Sequence, residues 1–380
     1  MKSKWVVWIM RAWFWVVLAL PSGIDAHDLH GVVSASAVST EVHEMALTMA
    51  EPASAADPVS GQGEYRFRLL VRRDILPPEA LAVLERAHGG FAVDRREGKG
   101  EVYFALPGAG IIRLSPDCQT AELLPTPDEL KRTNLHNTTI WYSENGSPRL
   151  VFPANDLGKV FTTSLEGELL SVLDAPSAET DFDETNVNDY FKQQGKFAPT
   201  DVEYLDHLYY ITTGYSDLDY VLTARVSEPP LQAMWHDLVF GGKGTGLGQL
   251  QTGHGITVGM NGQRLDVADR PVAEIERYTR YGHHRGTIHL PEGSYPCDID
   301  YLEDLALVPC LQGPVKDQGA PVYLLKGGEV VSTIRPKEEL GLDRFQHVHN
   351  AVLTRYQGKL YIVLQAWNPG DFAVLEQVGD

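Results

Sequence analysis

The sequence predicts an all-β protein, a six-bladed β-propeller whose ring is closed by an N-terminal strand. Three observations predict it. Six short β-rich motifs recur in one phase, 43 to 64 residues apart: HGGFAV from His88, HNTTIW from His136, TDVEYL from Thr200, HGITVG from His254, CDIDYL from Cys297 and HNAVLT from His349. Each is followed by a turn and a second strand (EVYFAL, PRLVFP, HLYYIT, QRLDVA, DLALVP, KLYIVL), and multi-strand repeats of this period mark propeller blades. After His349 only about thirty residues remain, enough for three strands, while EYRFRLLV at 64–71 alternates as a strand ahead of the first repeat. That early strand is expected to complete the last blade and remove an exposed edge.

The chain has 380 residues with 35 Gly and 23 Pro, and it contains no internal apolar run long enough to span a bilayer. At the N-terminus, Lys2, Lys4 and Arg11 precede VVLAL and the small residue Ala26, the pattern of a secretory signal peptide at 1–26. A signal anchor is the alternative reading of the same Trp-rich stretch. Residues 27–63 lack a firm period and read as a mobile linker, and the propeller is expected over 64–380. The protein is therefore expected outside the cytoplasm, secreted or periplasmic, with no stable membrane association once the signal is removed.

Net charge is -19 and no cluster of Lys and Arg is visible, which disfavours nucleic acid and anionic membranes as partners. The partner expected is a small-molecule or peptide substrate in the central channel. Acidic DFDET at 181–185 lacks the spacing of a calcium hand and reads as a solvated loop.

In a propeller the first strand of each blade lines the axis, so one phase of the repeat becomes one ring of side chains. His136, His254 and His349 open the second, fourth and sixth motifs and should lie about 120° apart. A lone channel histidine is usually a hydrogen-bonded core residue. Three at one phase in alternate blades suit a metal, and three neutral imidazoles leave zinc the open position that catalytic sites need. His88 shares the phase but lies in blade one and is read as structural. His347, two residues before His349, points to the same strand face and is the residue most easily mistaken for the ligand.

In CDIDYLEDLALVPC a two-residue turn at Glu303 and Asp304 would set Cys297 opposite Cys310, within disulfide range; a one-residue slip would separate them. Cys118 is left over and expected to be buried.

The segment GGKGTGLGQLQTGHGITVGMNGQRLDVADRPVAEIERY (241–278) resembles an NHL repeat, and GKFAPTDVEYLDHLYYITTGYSD is a weaker copy. The order of blade starts over residues 85–378 is most similar to peptidyl-α-hydroxyglycine α-amidating lyase, a six-bladed zinc enzyme. The resemblance implies zinc on His136, His254 and His349, a catalytic Tyr215 in TTGYSD, and Arg270 of VADR near the substrate. It also implies a calcium ion lower in the channel, at the position of Asn350, where the family has an aspartate. The family's arginine at the end of the second strand of blade one is missing, since FALPGAG has none before Arg113. Two other classes remain open: a calcium-dependent six-bladed hydrolase or lactonase, and a non-catalytic NHL propeller binding a protein or glycan.

Overall fold

Six antiparallel sheets form the blades, as the repeat predicts, in a computed structural model that describes residues 57–379. The signal peptide and residues 27–56 of the expected linker lie outside the described residues. Among the described residues no helix is long and apolar enough to cross a membrane.

The inner strands are Phe91–Val93, Thr139–Tyr142, Asp201–Leu205, Gly253–Val258, Asp300–Leu302 and Val348–Tyr356, each at one edge of its sheet and each overlapping one of the six motifs. Meandering order carries the chain outward from these strands in every blade. Short connections favour this path, because antiparallel neighbours need only a tight turn.

The last sheet closes the ring. Strands Val348–Tyr356, Lys359–Ala366 and Asp371–Gln377 come from the C-terminal repeat, and Tyr65–Arg72 pairs antiparallel with Asp371–Gln377 as the fourth strand. Phe67 on that strand is fully buried among Leu305, Leu360 and Leu375, so closure rests on apolar packing as well as on the backbone ladder. A fifth strand, Val59–Gln62, pairs outside it. The propeller thus begins before Glu64, and the final residues of the segment expected as linker belong to the closing sheet. Ser60 accounts for this: it accepts the Arg335 N–H at 2.7 Å and donates to Glu339 at 2.6 Å, giving a short polar strand a fixed place beside blade five.

The cores are the interfaces between adjacent blades. One cluster joins blades five and six and a second joins blade six to blade one, each rich in Leu, Val and Phe. Rigid inner strands follow from this packing, and they hold the channel side chains.

Candidate metal centre

His136, His254 and His349 meet on the axis. Their ring centroids form a nearly equilateral triangle, with sides of 4.7, 4.9 and 5.1 Å. All three are buried. Local irregularity turns two of them inward: His254 lies in the register shift between Gly253 and Ile256, and His349 in the one between Val348 and Asn350. A bulge adds a residue against its partner strand and re-aims a side chain, which strict alternation would not do.

Each ring is oriented by the next blade. His136 Nδ1 meets the Thr200 carbonyl at 2.7 Å, His254 Nδ1 the Cys297 carbonyl at 2.6 Å, and His349 Nδ1 the Gly89 carbonyl at 3.1 Å. A carbonyl only accepts, so each Nδ1 carries the proton and each Nε2 presents a lone pair. Burial and the nearby Arg270 guanidinium push all three imidazoles well below their usual pKa, which keeps them neutral. His349 Nε2 is buried with no hydrogen-bond partner. An orphan lone pair beside two further Nε2 acceptors is the donor set a divalent ion would satisfy.

His88, expected to be structural, lies within this cluster. Its ring packs edge-on against His136 and His349 at 4.6 and 4.5 Å and stacks on Trp367 at 5.3 Å. His88, His136 and His349 offer nitrogens within 4.8 Å of one another, close enough to bind a metal. The Asn134 amide lies 3.0 Å from His88 Nδ1 and donates to Asn155 Oδ1 at 3.2 Å, so an amide hydrogen occupies that Nδ1 and the remaining ring N–H is Nε2. His88 therefore presents the opposite tautomer from the other three. By contrast, His347 binds the Leu311 carbonyl through Nδ1 and makes no ring contact with the cluster.

Tyr215 stands between two of the imidazoles. Its Oη is 3.3 Å from His136 Nε2 and 3.1 Å from His254 Nε2, and it accepts from Arg270 Nη1 at 2.9 Å. Gly214 makes the approach feasible, since a Cβ there would lie 2.4 Å from the Gly253 carbonyl oxygen. Burial raises the Tyr215 pKa, opposed by Arg270, so the hydroxyl keeps its proton.

Arg270 is buried and has no carboxylate partner among the described residues; its contacts are Tyr215 and, at 3.2 Å, Cys297 Sγ, while its Nε is unpartnered. Adjacent Asp269 instead accepts the backbone N–H groups of Gln251 and Thr252. An uncompensated buried guanidinium is costly, and an anionic ligand would offset that cost.

Two expectations are corrected here. Cys297 and Cys310 are free thiols, because the hairpin register that pairs Asp300 with Leu307 slips by one to place Pro296 opposite Cys310. Cys297 turns to Arg270. Asn350 does not turn an oxygen to the channel: its Oδ1 accepts the Phe91 N–H at 3.2 Å and its Nδ2 donates to Asp298 at 2.6 Å. Cys118 is buried and its pKa is pushed up to about 12 by burial, as an inert thiol requires.

No family model matches the chain, and no curated protein matches it. Solved structures do. The chain is similar to a streptogramin B lyase (12% identity, 84% of this chain and 98% of that one, TM-score 0.47) and to virginiamycin B lyase from Staphylococcus aureus (14%, 77% and 96%, TM-score 0.42). It is also similar to a lactonase-like protein from Bacteroides uniformis (15%, 76% and 82%, TM-score 0.44). At such identities the likeness concerns the fold and carries nothing about chemistry.

Proposed function

We propose that the chain is a zinc-dependent lyase of the peptidyl-α-hydroxyglycine amidating type, acting outside the cytoplasm on a carbinolamide or similar hydroxylated substrate. The observation that carries this reading is the set of three Nδ1–H to carbonyl bonds, which leaves three Nε2 lone pairs around one axis beside a tyrosine and an unpaired arginine. His136, His254 and His349 would hold the zinc. When bound, zinc polarises a substrate oxygen and makes its hydroxyl more acidic.

The remaining work falls to the chain's own residues. Arg270 grips a substrate anion with the nitrogens that lack a carboxylate. Tyr215 Oη, protonated and held by Arg270, gives its proton to the amide nitrogen as the C–N bond breaks and is reprotonated from the substrate hydroxyl, whose oxygen becomes the aldehyde carbonyl. An aldehyde and an amide leave. His136, His254, His349 and Arg270 are buried, so a substrate held among them would meet little bulk water.

A direct assay decides the matter. Zinc-loaded protein given an α-hydroxyglycine peptide should release glyoxylate. Zinc bound without glyoxylate would leave the metal centre and remove this substrate. Neither zinc nor turnover would favour a non-catalytic propeller, and activity that follows calcium alone would favour the hydrolase class.

A further inference from the structure

Blades three and five carry the same inner motif, Asp201-Val-Glu203-Tyr-Leu and Asp298-Ile-Asp300-Tyr-Leu. Alternation along a strand sends both acidic positions of each motif to one face, and here that face is the channel. All four line a cavity of about 410 Å³ that none of the clustered histidines touches. Between cavity and histidines the axis is filled: Asn137 and Asn350 donate to Asp298, and a Cβ on Gly90 would lie 1.5 Å from Asn137 Oδ1.

The cavity is rich in carboxyl groups, several of them without a cation. Arg95 pairs with Asp300 and Arg355 with Glu303, whereas Asp201, Glu203 and Asp298 have no cation among the described residues. Their oxygens accept backbone N–H groups of the same and the next blade, such as Ile256 for Asp201 and Val258 for Glu203. That role is structural, yet it leaves lone pairs unused. A second polar atom waits on the same wall. Thr138 is 2% exposed and its Oγ1 has no hydrogen-bond partner.

We propose that this cavity is a second ligand site and that it takes an alkyl ammonium, its charge on Asp201, Glu203 and Asp298 and its chain along Met260, Val258 and Val352. A bare metal ion fits less well. Calcium needs six to eight oxygens converging at 2.3–2.6 Å, roughly, from one centre. These carboxylates sit at two heights along their strands, pinned by different N–H groups, and the histidine group is the one such cluster among the described residues whose ligand atoms lie within 4.8 Å. Charge spread over a wall suits an extended organic cation. Burial raises Glu203 to about 7 and Asp298 to about 6, so the empty site holds its carboxyls partly protonated and a bound ammonium would restore their charge.

Calorimetric titration of the full chain with 1,5-diaminopentane tests this, with 1,5-pentanediol, calcium chloride and backbone-capped lysine as parallel probes. The diamine or the capped lysine should bind saturably and the diol should not; the stronger of the two binders assigns the site to a free polyamine or to a protein's lysine. Glu203→Gln should weaken binding by about tenfold or more, the loss of one charge-assisted contact, without changing zinc content. Thr138→Val, which alters no charge, should weaken it about threefold and serves if Glu203→Gln fails to fold. Equal binding of the diol, binding of calcium alone, or ammonium affinity unchanged in both variants would overturn the assignment.

Discussion

Three backbone carbonyls decide which nitrogen each axial histidine shows to its neighbours, so the metal reading rests on single hydrogen bonds. His254→Ala removes one of three ligands and should lower zinc affinity at least about tenfold, measured by metal analysis after dialysis. His347→Ala should not, since its ring is held by Leu311. Tyr215→Phe should keep fold and metal while lowering turnover by about 10² to 10⁴, the range of a positioned proton donor or acceptor. Equal activity in that variant would remove the tyrosine from the reaction. Glu203 gives a prediction with a sign. Its folded pKa, raised to about 7, exceeds the unfolded value near 4.5, so the native state binds more protons and its stability falls as pH rises between those values. Relative to Glu203→Gln, wild type should lose on the order of 2 to 3 kcal/mol from pH 4.5 to above 7, read from urea unfolding at each pH, allowing for solvent in the cavity. A flat difference would contradict the assigned burial.

Elements explain what was legible in the sequence and what was not. Phase alone located every inner strand, because the motif begins each blade and the channel repeats it. It also named the three threefold-related histidines and the closing strand at 65–71, whose partner had to lie beside the short last repeat. His88 shares the phase but stands apart from those three, because blade one breaks the threefold pattern. What the phase does not encode is its ring orientation, which Asn134 and Trp367 set from connections of irregular length. The cysteine pair failed for a similar reason: the turn register holds from Asp300 to Leu302, and a single slip before it moves Cys297 away from Cys310. The unpaired Asp and Glu of blades three and five were visible as DVEYL and DIDYL, but only the channel gives the repetition meaning. Closure can be tested at this scale. Phe67→Ala should destabilise the ring by about 3 to 5 kcal/mol, the usual cost of a buried Phe, and removal of residues 57–72 should expose the Asp371–Gln377 edge and promote aggregation, seen by light scattering.

Across the whole molecule, alternation of blades divides the labour. Blades two, four and six, joined by His88 of blade one, bring histidines to one end of the axis and blades three and five bring carboxylates to the other, with a filled polar level between them. A metal that ties blades two, four and six together binds the folded ring and not the open chain. Chelation should therefore lower the melting temperature, by about 4 to 8 °C if free metal stands near a thousand times its dissociation constant, as mass action and the size of the unfolding entropy require. The most direct measurement is a crystal of zinc-loaded protein analysed by anomalous scattering at the zinc edge. One peak on the axis, within coordination distance of Nε2 of His136, His254 and His349, is the predicted result. No axial peak, or a peak held by His88, His136 and His349 that leaves His254 out, would contradict the account.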